Sequence, residues 1–221
     1  MSSPSLINYA DNFMNIDSSI WYKKHESLLL YTNFDMKLIL AYMCQLFRGC
    51  KNDKILFHVI DNAINLNHAS DCNHRLLTYA LMFASSSVII KLIDKGVDLE
   101  YVETSAHYRP IHLAARYSTP QVLKHLIGKV DLEAETKYGE RLIHIVAKKL
   151  DYDTIKYVIN LDVRLDINLH TYKNRSVSLD VKHLILLNKR VDICDKIDLL
   201  NIIDQKLDNN FVSKRQRIDN T

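Results

Sequence analysis

The sequence predicts an all-α fold built as a helical solenoid, in which short helix–turn–helix units stack in a row. A similar three-residue segment that ends in leucine recurs every 33 residues. The four copies are Ile64–Leu66, Val97–Leu99, Val130–Leu132 and Val163–Leu165. Only 4 glycines and 3 prolines occur in 221 residues, which leaves few helix breakers. Hydrophobic residues at 48% and charged residues at 25% are ordinary for a globular chain and exclude global disorder and collagen.

The segments between these phrases also repeat. Arg109–Ala115 aligns with Arg141–Ala147, and Arg75–Ala80 is a weaker copy. Each of the four units has an apolar stretch typical of a second helix: Ile55–Ile60, Val88–Ile93, Val122–Ile127 and Ile155–Ile159. Each unit is therefore predicted to hold two short antiparallel helices and a projecting hairpin.

Residues suited to helix ends stand at the predicted boundaries. Pro110 fits the first turn of a helix, where its missing N–H loses no partner. Thr119 followed by Pro120 predicts the start of a second helix, and Asp151 or Asp153 could start the next one. Gly96 suits a left-handed position just after a helix.

The repeats resemble those of the ankyrin family. Arg109–Ala114, which reads Arg-Pro-Ile-His-Leu-Ala, is similar to the family's Thr-Pro-Leu-His-x-Ala signature, and Gly96–Leu99 is similar to its Gly-Ala-Asp-Val segment. The wording of Arg116–Pro120 and Val130–Gly139 is also similar to ankyrin proteins of mimivirus-type giant viruses. The resemblance implies a concave surface made of hairpin tips and first helices.

The period divides the chain into seven segments. They are an N-terminal helical cap at 1–35, a degenerate ankyrin-like repeat at 36–72, ankyrin repeats at 73–105, 106–138 and 139–171, a degenerate C-terminal helical cap at 172–207, and a disordered tail at 208–221. The apolar stripe of Lys196–Leu207 could alternatively form a partner-binding helix.

Two histidines are predicted to be structural. His112 and His144 fall where the resemblance implies an imidazole that hydrogen-bonds loop backbone and fixes the start of the first helix. The corresponding residue in the unit before them is Thr78, whose shorter hydroxyl should make that unit less rigid. Pro110 and Gly96 complete the predicted structural set.

Nothing in the sequence points to catalysis, a cofactor or a metal. The ligand-type residues Cys44, Cys50, His58, His68, Cys72 and His74 lack the short paired spacing of zinc sites. The sequence has no glycine-rich phosphate loop, no Gly-x-Ser-x-Gly and no His-Glu-x-x-His. A non-enzymatic protein is therefore expected.

Charge and hydropathy argue against nucleic acid and membrane as partners. The net charge is +3, and its whole excess lies in residues 171–221, which leaves the body of the chain balanced. No apolar run approaches the length of a membrane span, and Met1–Ala10 lacks the features of a signal peptide. The expected location is intracellular, in the cytoplasm of a host cell. The basic cluster Lys214–Arg217 leaves a nuclear location open, although four residues are little evidence and a solvated tail is the favoured interpretation.

The predicted function is the binding of a partner protein, such as a host protein, by a monomer that uses its concave face. The candidate contact residues are tyrosines and charged residues near the hairpin tips, since tyrosine is enriched at interfaces. They are Tyr101, Glu103, His107, Tyr108, Glu135, Lys137, Tyr138 and Tyr172. Some of these tyrosines could instead pack one hairpin on the next.

Two alternatives remain. The chain could be an adaptor that links client proteins to ubiquitin ligation through residues 175–207, although this segment lacks the proline-rich start that such proteins carry. It could also be a structural or relic member of an expanded repeat family.

Overall fold

The computed structural model describes residue 47 and the ranges 53–62, 65–69, 73–161 and 180–219, together with residues 163 and 165. These residues form α-helices joined by loops and contain no β-strand, which confirms the all-α prediction for them. The helices are α1 (Asp53–Asn62), α2 (Leu76–Phe83), α3 (Ser86–Asp94), α4 (Pro110–Tyr117), α5 (Pro120–Leu126), α6 (Leu142–Lys149), α7 (Tyr152–Ile159), α8 (Val181–Leu187) and α9 (Ile193–Asp219).

The helices are arranged in pairs. Within each pair the two helices contact each other: α2 with α3, α4 with α5, α6 with α7, and α8 with α9. The first helices of successive pairs also pack in a row, α2 on α4, α4 on α6 and α6 on α8. On the other side α1 packs on α3, α3 on α5, and α7 on α9. One continuous core therefore runs between the two sets of helices.

Small side chains allow the first helices to approach one another. Ala80 and Ala114 occupy corresponding positions of α2 and α4, Ala115 and Ala147 occupy the next position of α4 and α6, and all four are buried. Larger apolar residues beside them, such as Leu77 and Ile111, fill the space between the helix rows. Close backbone approach together with dense apolar packing is what stabilises helices as short as these, which are marginal in isolation.

Equivalent turns follow the second helices. The side chains of Asn65, Asp98 and Asp131 each accept a hydrogen bond from the backbone N–H two residues later. The leucines at 66, 99 and 132 are partly buried against the core. The 33-residue spacing thus corresponds to a repeated local structure, because an Asx turn satisfies the backbone at the same point of each unit.

The predicted helix ends agree with the structure in most details. Pro110 is the first residue of α4, and Thr119 precedes Pro120 at the start of α5. Thr119 does not cap that helix with its side chain; its hydroxyl lies 2.8 Å from the Ser86 hydroxyl instead. The Asp151 carboxylate accepts from the Thr154 N–H and caps α7. Gly96 follows α3 with a φ of +79°, which a residue with a Cβ adopts only with strain.

The C-terminal segment differs from the prediction. Disorder was expected from Asp208, but α9 continues to Asp219, so this prediction is wrong. Helix α9 is anchored by buried Leu199 and Ile203, and the Lys206 ammonium donates to the carbonyls of Ile159 and Leu161 at the end of α7. No glycine or proline occurs beyond Lys206, so no strong helix breaker interrupts the anchored helix. The N-terminal cap at 1–35 lies outside the described residues.

Asn188, in the turn between α8 and α9, completes the end of α6. Its buried amide donates to the carbonyls of Ala147 and Leu150 at 3.0 and 2.8 Å. Asn188→Ala is expected to lower the free energy of unfolding by about 1–3 kcal/mol, because it leaves buried carbonyls without donors. Urea denaturation followed by circular dichroism measures this. The exposed Asn201→Ala serves as control, and equal stability of the two variants would contradict the assignment.

Candidate functional site

The candidate site is a groove of about 360 Å³ between the first-row helices and the loop that precedes α4. We call it the aromatic groove. Aromatic rings supply its walls: Tyr79, Phe83, Tyr108 and Tyr117. Thr78, Met82 and Leu113 lie between them, and His74, Glu103, Ser105 and Ala106 complete the lining.

The helices and the loop each contribute to the walls for a reason visible in the sequence. Tyr79 and Phe83 are four residues apart on α2, so they lie on the same side of that helix. Tyr117 ends α4, at the position that corresponds to Phe83 one unit earlier. Phe83 is 38% exposed and Tyr117 is 48% exposed, which leaves two aromatic side chains open to solvent beside one cavity.

Residues 103–108 form a tight loop that positions Tyr108. The Glu103 N–H donates to the Tyr108 carbonyl at 2.9 Å, and the His107 N–H donates to the Glu103 carbonyl at 3.0 Å. His107 has a φ of +54°, and its side chain is exposed outside the groove. Arg116 donates to the Tyr108 hydroxyl at 2.7 Å, so the Tyr108 ring is fixed from the α4 side.

Two of the predicted contact residues, Tyr101 and Glu103, are buried. Tyr101 is 4% exposed, and its hydroxyl lies 2.6 Å from the Thr78 hydroxyl. The Arg75 guanidinium lies 4.9 Å from the centre of the Tyr101 ring. Glu103 is 5% exposed. Tyr101 therefore acts as a staple inside the unit, and Glu103 faces the groove rather than a hairpin tip.

The other predicted contact residues lie apart from the groove, except for Tyr108. Glu135 is exposed but pairs with Arg141, and Lys137 is exposed, with its N–H bound to the Ala106 carbonyl. Tyr138 is 42% exposed on the next hairpin. Tyr172 lies outside the described residues. Of the predicted contact residues, Glu103 and Tyr108 thus line the groove, whereas Glu135, Lys137 and Tyr138 lie on the next hairpin.

His112 has the structural geometry that the sequence predicts. Its Nδ1 accepts from the Arg109 N–H at 3.1 Å, and its Nε2 donates to the Ala134 carbonyl at 2.9 Å. Burial lowers the pKa of His112 to about 4, because the charged ring would lose its hydration. His144 is also buried, and its Nδ1 accepts from the Arg141 N–H at 3.0 Å.

Thr78 shows how the unit without a histidine is completed. Its hydroxyl accepts from the Arg75 N–H at 3.2 Å, as the His112 Nδ1 does from Arg109. The longer reach of the imidazole is replaced by Tyr101, whose hydroxyl comes from the hairpin side to meet Thr78. The link between helix start and hairpin is therefore kept by a different pair of side chains.

Sequence reasoning missed Tyr79, Phe83 and Tyr117. The available signal was the alignment of Phe83 with Tyr117, since both follow the repeated apolar segment by the same number of residues. The alignment alone does not reveal the groove. The side of each helix on which these rings lie depends on where the helix begins and ends, which the structure fixes.

Within the part of the chain that the structure describes, no group of three or more histidine, cysteine, aspartate or glutamate side chains is arranged to hold a metal ion. The described helices also include none that combines the length and the apolar character of a membrane span. Cys44, Cys50 and Cys72 lie outside these residues. No protein-family model matches the chain, and no curated protein matches it significantly.

Proposed function

We propose that the chain is an ankyrin-type repeat protein that binds a partner protein in the aromatic groove. The paired helices and their 33-residue turns support the ankyrin-type interpretation. The observation that carries the binding function is the pair of exposed rings, Phe83 and Tyr117, which flank a cavity on the side of the first helices and hairpins. This is where the sequence resemblance implies the concave face.

The physical basis of binding is preorganisation. Tyr108 is fixed by Arg116, and the helices that carry Phe83 and Tyr117 are packed on the core. Docking therefore immobilises few additional groups, and the rings can bury apolar area at low entropic cost. Clustered aromatic residues beside a cavity are typical of interface hot spots.

A double variant and a single-residue control test this function. Phe83→Ser/Tyr117→Ser is expected to keep the wild-type circular dichroism, because exposed substitutions each change stability by about 0.5 kcal/mol or less. The same variant is expected to weaken partner binding by about 30-fold or more, as loss of a hot spot does. The partner is first identified by affinity capture and mass spectrometry, and its affinity is then measured by calorimetry.

Tyr157→Ser is the control, since it removes an exposed aromatic ring on α7, outside the groove. It should leave partner affinity unchanged. The opposite pattern, with binding lost in the control and kept in the groove variant, would place the binding surface elsewhere.

A further inference from the structure

One end of the aromatic groove holds a buried carboxylate. Glu103 is 5% exposed, and its Oε1 is buried without a hydrogen-bond partner among the described residues. The nearest basic group recorded beside it is the His74 ring, whose Nε2 lies 4.0 Å from Oε1. A buried acceptor that lacks a donor is costly, so a native structure that retains one calls for an explanation.

The equivalent position one unit later explains why Glu103 is unusual. Thr136, which is 33 residues further on, is equally buried, and its hydroxyl accepts hydrogen bonds from the Tyr138 and Glu140 N–H groups of its own loop. A threonine there therefore serves the loop. Glu103 replaces it with a longer, charged group that lines the groove.

Burial leaves the Glu103 carboxylate with little compensation for its charge. Burial raises the pKa of the Glu103 carboxyl above its usual range, while the His74 ring and the Thr78 hydroxyl oppose this shift. A cation held in the groove beside Glu103 would favour the ionised carboxylate. Arg75 pairs with Asp98 through Nη1, while its Nε is buried without a hydrogen-bond partner among the described residues. Arg116 donates to the Tyr108 hydroxyl and lies 5.8 Å from the centre of the Tyr117 ring.

The groove walls favour the same ligand. Tyr79, Phe83 and Tyr117 present aromatic rings along the cavity, and ring faces attract ammonium and guanidinium groups. The methylene stem of a long basic side chain can also pack on such rings. An apolar ligand side chain would match the walls but bring no positive charge to Glu103.

We propose that the aromatic groove receives one lysine or arginine side chain of the partner protein, with its cationic head at Glu103 and its stem between the rings. This inference rests on the proposed function and specifies the chemistry of the partner at that surface. Glu103 supplies the charge recognition, whereas Phe83 and Tyr117 supply apolar contact.

Short capped peptides test the proposal on the full chain. N-acetyl-Ala-Lys-Ala-amide, its arginine analogue and its norleucine analogue are titrated into isotope-labelled protein, and NMR shift changes give the dissociation constants. The lysine and arginine peptides are expected to bind at least 10-fold more tightly than the norleucine peptide, with shifts at the groove residues. Equal affinity of the lysine and norleucine peptides for the wild type would overturn the proposal without any variant being needed.

Glu103→Gln keeps the shape of the side chain and removes its charge. It is expected to lower the affinity for the lysine peptide about 10-fold and to leave the norleucine peptide unaffected. Asp153→Asn, which removes an exposed charge on α7, should change neither affinity. A titration with spermidine distinguishes a free polyamine, and tighter binding of spermidine than of the lysine and arginine peptides would overturn the assignment of a protein side chain.

The natural partner separates this inference from the proposed function. Loss of the partner in Phe83→Ser/Tyr117→Ser but not in Glu103→Gln would keep the groove as the binding surface and reject the basic side chain. Retention of the partner in both variants would reject the groove itself.

Discussion

Replacing Tyr101 with serine is expected to lower the free energy of unfolding by about 3–5 kcal/mol, the usual cost of removing a large buried aromatic side chain. Tyr101 is 4% exposed, and its ring lies in the core between the hairpin and α2. The substitution also removes the hydroxyl that lies 2.6 Å from Thr78. Urea denaturation followed by circular dichroism measures the loss.

Tyr138→Ser is the matched control, since the same chemical change is made on a ring that is 42% exposed. It should alter stability by about 0.5 kcal/mol or less. The stability loss of Tyr101→Phe should lie between those of Tyr101→Ser and Tyr138→Ser. This variant keeps the buried ring and removes only the hydroxyl that meets Thr78. Wild-type stability of Tyr101→Ser would show that this residue belongs to the surface.

Replacing His112 with alanine is expected to have the second large effect. The Arg109 N–H and the Ala134 carbonyl would each lose their partner in a buried site. Each such group costs about 1–3 kcal/mol when it is left unsatisfied. Thermal and urea denaturation of His112→Ala measure the sum, and a variant as stable as the wild type would contradict the structural assignment.

The same histidine gives a pH dependence with a definite sign. The folded pKa of His112 is lowered to about 4, whereas the unfolded chain titrates near 6.5. Its contribution to stability is therefore complete above about pH 6.5 and is lost as the pH falls toward 4, because the unfolded state binds the proton first. Between pH 7 and pH 5 the free energy of unfolding is expected to fall by about 2 kcal/mol, because each pH unit below 6.5 costs about 1.36 kcal/mol.

His112→Gln provides the comparison for this titration, since its amide does not take up a proton in that range. The wild type should lose about 2 kcal/mol more than His112→Gln between pH 7 and pH 5, because other groups titrate alike in both. Parallel pH profiles of the two proteins would show that the ring is not held neutral in the fold.

The sequence was sufficient for the helix pairs because their signals are local. Pro110, Asp151 and Gly96 each mark a helix end through their own backbone or side-chain chemistry. The apolar spacing of Ile111, Ala114 and Ala115 likewise identifies buried residues of α4. Such features need only neighbouring residues, so a single sequence displays them.

The candidate site needed information that the sequence does not display. Tyr101, Tyr108 and Tyr138 look alike as hairpin residues, but one is buried, one lines the groove and one is exposed on the next hairpin. The burial of Tyr101 depends on Thr78, which lies 23 residues earlier and leaves room where other units have an imidazole. Glu103 was misplaced for the same reason, since loop conformation decides whether its side chain faces solvent or the groove.

The extent of α9 shows a further limit. The polar composition after Leu207 predicted disorder, yet the helix is initiated far upstream by contacts with α7 and α8. Lys206 ties it to the carbonyls at the end of α7. The composition of residues 208–221 contains no information about this anchoring. A prediction from composition alone therefore ends the helix too early.

The most direct test of partner binding in the aromatic groove is site-specific photocrosslinking. A benzoylphenylalanine residue is placed at position 83, 117 or 157, each of which carries an exposed aromatic side chain on the folded chain. The proteins are irradiated in the cells that naturally contain the chain, and crosslinked species are identified by mass spectrometry. We expect positions 83 and 117 to crosslink to the same protein and position 157 to give none of it. Crosslinking of the partner from position 157 alone would contradict the account.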